Sequence, residues 1–125
     1  MSKPIGAMGM VIAITLAVGA AFAQDASKVP PVRAVTKTLV GSEAQKECFS
    51  LAKGQRLHYR FNADGPLNFK LSHQDKREVI DLKRDRADSA AGSFAPKASA
   101  DHCLVWTNAG KQAVTLRYEF QRAPQ

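Results

Sequence analysis

The chain has 125 residues, 18 of them basic and 11 acidic, for a formal net charge of +7. A chain this short makes one domain with a single small core and a shallow site. It excludes a deep enzyme cleft walled on all sides, and no internal repeat or low-complexity tract is present.

The first element in chain order is an export signal. Lys3 supplies a positive start, Met8 to Ala20 are apolar apart from Thr15, and Ala21-Phe22-Ala23 matches the small-x-small cleavage pattern. Polar Gln24 and Asp25 follow. The apolar stretch is shorter than the ~20 residues a spanning helix needs. Residues 1–23 are therefore expected to be a signal peptide cut after Ala23. No twin arginine precedes the stretch and no cysteine follows it to carry a lipid. The expected product is periplasmic or secreted, with no stable membrane insertion. Loss of Lys3 leaves 17 basic residues against 11 acidic, a net charge of +6.

Residues 24–33 read as a flexible lead-in, because Pro30-Pro31 favours extended backbone and cannot join the centre of a sheet. Ala34–Val40 and Glu47–Leu51 follow as plausible strands joined through Gly41-Ser42. Leu57, Tyr59 and Phe61 then alternate with His58 and Arg60. Asn62-Ala63-Asp64-Gly65-Pro66 is a turn signal, and Leu67, Phe69 and Leu71 alternate with Asn68 and Lys70 beyond it. These two runs are expected to form a hairpin. In Asp75–Asp88, Val79-Ile80-Asp81-Leu82 reads as the core of a strand, with a short charged helix as the alternative. Cys103–Thr107 is a continuous apolar run, as in a strand covered on both sides. Asn108-Ala109-Gly110-Lys111 turns the chain, and Val114, Leu116, Tyr118 and Phe120 alternate after it. This pair is the clearest expected hairpin. The predicted fold is all-β: a small antiparallel β-sandwich of seven or eight strands over residues 34–121, with one disulfide and a tail at 122–125.

Cys48 and Cys103 are the only cysteines. In an oxidising compartment a lone pair is expected to be a disulfide. Closing that loop stabilises the fold by roughly 4 kcal/mol in the chain-entropy model. A metal or redox pair is the alternative, which the wide spacing disfavours. Trp106, the single tryptophan, is expected in the core near the disulfide.

Glu47-Cys48-Phe49, together with the later His102-Cys103-Leu104-Val105-Trp106-Thr107-Asn108, resembles the GOLD domain. That domain is the lumenal β-sandwich of the eukaryotic vesicle cargo-receptor family. There an E-C-F cysteine is disulfide-bonded to a cysteine in a late strand that ends in aromatic-x-Asn. The resemblance covers roughly Val35 to Phe120. It implies the sandwich, the Cys48–Cys103 bond and a general binding character. Those receptors continue into a coiled coil, a membrane span and a sorting tail, whereas this chain stops at Arg122-Ala123-Pro124-Gln125, so the trafficking role is not implied.

No catalytic motif accompanies the histidines His58, His73 and His102: G-x-S-x-G, H-E-x-x-H and a phosphate-binding glycine loop are all missing. The expectation is a non-enzyme without cofactor. His58, His73, His102 and Asp101 could converge on a metal, but no spacing demands it, and no metal site is expected. Asp75–Asp88 holds five basic and five acidic residues, a solvated surface rather than a nucleic-acid track. Arg56, His58, Arg60, Lys70 and Arg117 fall on polar strand faces, and if the strands are neighbours they form one basic face. Such a face attracts anionic envelope polymers or acidic proteins. The leading expectation is thus a non-catalytic periplasmic binding or adaptor protein. The alternative is an inhibitor of an envelope-acting hydrolase, with the caution that lysozyme-type targets are themselves usually basic. A metal carrier ranks last.

Overall fold

The computed structural model describes residues 31–124. The expected signal peptide and most of the lead-in lie outside the described residues. Six strands follow in order: β1 (Arg33–Leu39), β2 (Ala44–Leu51), β3 (Gln55–Gln74), β4 (Glu78–Phe94), β5 (Ala100–Thr107) and β6 (Val114–Pro124). Every pairing is antiparallel. Asp75–Asp88 is thus a turn leading into a strand, not a helix. β6 runs on through the expected tail, where Gln55 pairs with Pro124 and Leu57 with Arg122.

The count is six rather than seven or eight because the first expected hairpin is a single strand. β3 is 20 residues long, and its alternation holds from Leu57 to Leu71: Leu57, Tyr59, Phe61, Leu67, Phe69 and Leu71 are all buried. Asn62–Pro66 bends this strand instead of reversing it. Eight residues of extended strand cover about 26 Å, yet the rings of Phe61 and Phe69 stand 4.9 Å apart. The register against β4 slips across the same residues. Asp64 fits the bend into the ladder, its Oδ1 accepting the Thr115 N–H at 2.7 Å. Gly65 allows the close approach: a Cβ there would lie 2.9 Å from Cγ2 of Val114.

The bend divides the sheet. Gln55–Ala63 of β3 pairs with β6, and β1 lies outside β6. Asn68–His73 pairs with β5, and β2 lies outside β5. β4 runs along the other edge of β3 through both parts. The two halves face each other across the core. Trp106 of β5 stacks on Tyr118 of β6 at 4.2 Å, and Phe49 of β2 on Phe120 of β6 at 5.0 Å.

The second expected hairpin is therefore also corrected. β5 and β6 do not pair, because the chain between them crosses from one half to the other. The β1–β2 connection makes the same crossing, and the two arches lie side by side. The Ser42 N–H donates to the Asn108 carbonyl at 2.8 Å, and the Asn108 N–H to the Glu43 carbonyl at 2.9 Å. The Asn108 side chain, 1% exposed, donates to the carbonyls of Leu39 and Gln112 and accepts from the Gly110 N–H.

Cys48 and Cys103 are register partners on β2 and β5 and are disulfide-bonded, as expected. Alternation puts Cys103 on the outer face of β5 and Trp106 on the inner one. Trp106 is a core residue, but it does not pack near the disulfide.

Candidate functional site

Arg56, His58 and Arg60 occupy even positions of β3, opposite in facing to buried Leu57, Tyr59 and Phe61. They lie on the outer face of the half that contains β6. The β6 register brings Arg117 beside Asn62 and Glu119 beside Arg60. Four of the five predicted basic-face residues therefore share one face. Lys70 does not. It lies beyond the bend, on the half that contains β5, where Val105 is its partner. Its Nζ donates to both oxygens of Glu78, at 3.0 and 3.2 Å. That bond holds the Glu78 carboxyl below its ordinary pKa. The shared face is also less basic than the sequence implies, because Arg60 is ion-paired with Glu119. Arg56 donates to the Ser93 hydroxyl at 3.1 Å. Arg60, Asn62, Arg117, Glu119 and Thr36 line a depression of about 470 Å³ on it.

A different cluster forms at the far end of β3. His73 continues the inward stripe of Leu67, Phe69 and Leu71, and its register partner on β5 is His102. The third member, Asp81, comes from an irregularity in β4. Leu82 pairs with Leu71 and Ile80 with Ser72, so Asp81 is the extra residue of a β-bulge. Strict alternation after inward Leu82 would turn Asp81 outward; the bulge re-aims it into the sandwich. Its Oδ2 lies 2.8 Å from His73 Nδ1 and 3.7 Å from His102 Nε2. The two imidazoles are 5.0 Å apart, and Phe94 packs on His102 at 5.6 Å. His102 is 1% exposed. Its Nδ1 lies 3.1 Å from the Ala100 carbonyl, which only accepts, so Nδ1 carries the hydrogen and Nε2 faces Asp81. The cluster opens on a cavity of about 510 Å³ roofed by residues 95–100, with Asp75 and Val79 at its wall.

Of the four residues considered for convergence in the sequence, only His73 and His102 meet. His58 faces outward on the other half. Asp101 is exposed and accepts from the Ser50 hydroxyl. Asp81 carried no signal in the sequence, because a bulge leaves no mark in an alternating pattern.

A third polar group closes the seam between the halves. Glu47 Oε2 accepts from the Tyr118 hydroxyl at 2.6 Å and from Arg33 Nε at 2.8 Å, and Gln45 Nε2 donates to the Tyr118 oxygen. Burial, reinforced by the Glu47 carboxylate, pushes the Tyr118 hydroxyl up to about 12. Among the described residues no helix is long and apolar enough to cross a membrane.

No family model and no curated protein matches the chain. Solved structures do. The Aeromonas hydrophila PliG, a periplasmic lysozyme inhibitor of g-type lysozyme, superimposes with a TM-score of 0.60 at 10% identity, covering 77% of this chain and 89% of that one. A mutant of the Escherichia coli PliG, also a periplasmic inhibitor of g-type lysozyme, gives 0.51 at 12% identity over 76% and 90%. The Yersinia pseudotuberculosis-derived mitogen gives 0.52 at 10% identity over 78% and 88%. At such identities the likeness establishes the fold, an antiparallel β-sandwich, and nothing finer.

Proposed function

We propose that this domain is a non-catalytic periplasmic protein that binds and inhibits a wall-degrading hydrolase of the lysozyme type. The observation that carries this reading is the superposition on the Aeromonas hydrophila PliG, which spans nearly all of that inhibitor. The export signal read in residues 1–23 is consistent with the compartment. Binding rather than catalysis also suits a domain whose two thiols are tied up in one disulfide.

The net charge of +6 that remains without Lys3 opposes docking on a basic hydrolase, unless contact is made away from the basic face. The cavity end offers such a surface, with Asp75 and Asp81 at its wall. The test is clearance of a wall suspension by g-type and chicken-type lysozymes as the purified protein is titrated in. Inhibition saturating near one equivalent of at least one enzyme is expected, and Arg60→Glu/Arg117→Glu should retain it. No inhibition at tenfold molar excess, with no co-elution on gel filtration, would overturn the reading.

A second reading rests on the shared face of Arg56, His58, Arg60 and Arg117, which suits the phosphates of an anionic envelope polymer. Binding to lipopolysaccharide or teichoic-type chains should then weaken with salt and be lost in the same double variant. Binding indifferent to both would end that idea.

A further inference from the structure

The geometry points to a binding site for a divalent transition metal of the zinc–copper class, formed by His73, Asp81 and His102. One ligand atom from each residue lies within 4.8 Å of the other two. Ligands bound 2.0–2.1 Å from a tetrahedral ion stand about 3.3 Å apart. The separations from Asp81 Oδ2, 2.8 and 3.7 Å, straddle that figure; on binding an ion the two imidazole nitrogens, within 4.8 Å of each other, would draw together and the proton between His73 Nδ1 and Asp81 would leave.

The donor set selects the class of ion. Calcium and magnesium take oxygen ligands, whereas two imidazoles with one carboxylate suit zinc, copper or nickel. Orientation of one ligand, His102, is already provided. The Nδ1–H of His102 is held by the Ala100 carbonyl, which leaves Nε2 as the ligand atom, and metal-bound histidines characteristically have their second nitrogen held in this way. The three residues come from three hydrogen-bonded strands rather than from loops, and the bulge in β4 serves to bring Asp81 inward.

A purely structural trio accounts for less of this. The His73–Asp81 contact is a good hydrogen bond, but 3.7 Å from His102 Nε2 to Asp81 Oδ2 is too long for one. Both atoms are acceptors when the imidazole is neutral, and a cation between them satisfies both. Three protein ligands leave a fourth position, and the cavity of about 510 Å³ beside them gives water or a donor group access to it.

The site does not depend on the hydrolase reading, since metal binding is measured with no partner present. The test is calorimetric titration of the chelator-treated protein with Zn²⁺, Cu²⁺, Ni²⁺ and Mg²⁺. One equivalent of Zn²⁺ or Cu²⁺ is expected to bind, with Mg²⁺ silent. Asp81→Asn and His73→Gln should each weaken binding by at least ~10-fold, while His58→Gln leaves it unchanged. His73 is partly exposed, so His73→Gln keeps the test open even if a change at buried His102 or at Asp81 prevents folding; circular dichroism checks each variant. Anomalous diffraction at the zinc edge from a soaked crystal locates the ion. No binding of either metal, binding undiminished in folded His73→Gln, or density at His58 instead would overturn the assignment.

Discussion

Replacing Asn108 with alanine should cost about 3 kcal/mol of stability. Its side chain is 1% exposed and makes three hydrogen bonds: from Nδ2 to the Leu39 carbonyl at 3.0 Å, from Nδ2 to the Gln112 carbonyl at 2.7 Å, and from the Gly110 N–H to Oδ1 at 3.0 Å. Each is worth a net ~1 kcal/mol, and more where a buried partner is left unsatisfied. With a urea slope of ~1–1.5 kcal/mol/M for a domain this small, the midpoint should fall by about 2–3 M. Asn108→Asp separates hydrogen bonding from size. It preserves shape and the Gly110 contact, but it turns an acceptor toward two carbonyl oxygens, so it should destabilise at least as much as alanine. Urea unfolding followed by Trp106 fluorescence, with the disulfide intact, measures both variants. If Asn108→Ala loses less than ~1 kcal/mol, or Asn108→Asp matches the parent protein, Asn108 is not what joins the two crossing arches, and the reasoning fails.

Three other outcomes follow from the same structure. Tyr118 ionises in the fold only at about 12, so its neutral form is favoured; this stabilisation is complete below the ordinary value of 10 and lost as pH rises toward 12. Tyr118→Phe lacks that alkaline component and should cost ~1 kcal/mol at neutral pH through the loss of its bond to Glu47, so the urea-stability gap between the two proteins should shrink as pH rises from 10 toward 12. Cys48→Ser/Cys103→Ser opens a loop with a sequence separation of 55 and should lose about 4 kcal/mol by denaturant titration, with native Trp106 emission unchanged because the disulfide lies on the outer face. Gly65→Ala drives a methyl against Val114 and should cost ~1–3 kcal/mol. Adding Val114→Ala should give a double variant less destabilised than the sum of the single changes, and simple additivity would show that the two residues do not touch.

The strands are legible in the sequence because period-two alternation is a local property, and the chain connections are not, because they depend on distant packing. Leu57, Tyr59 and Phe61 share odd numbering with Leu67, Phe69 and Leu71, so the alternation crosses Asn62–Pro66 without a change of phase. That continuity is the signature of one bent strand. The Asp-Gly-Pro run outweighed it in the sequence because turn chemistry and bend chemistry draw on the same residues. Likewise, Asn108–Lys111 has the composition of a hairpin turn. Whether such a turn joins neighbours in one sheet or crosses to the opposite sheet depends on what each strand packs against, which four residues do not encode. The Glu47-Cys48-Phe49 and Trp106-x-Asn108 motifs do find local reasons here. Glu47 closes the seam on Tyr118, Phe49 stacks on Phe120, and Asn108 ties the arches.

The two candidate surfaces differ in how far a sequence could reveal them. The basic face follows from alternation plus strand adjacency. Facing alone places Arg56, His58, Arg60 and Arg117 on it, and Lys70 is absent from it only because the bend carries that residue to the other half. The histidine–aspartate cluster depends on a defect in the pattern. His73 and His102 are inward by alternation, but Asp81 is inward because β4 holds one residue more than its partner between Ile80 and Leu82. Inserting a carboxylate at a bulge, inside a sandwich and against two imidazoles, carries a desolvation cost that a surface position would not. The 2.8 Å contact with His73 Nδ1 offsets part of that cost, and a metal ion bound as proposed would offset more.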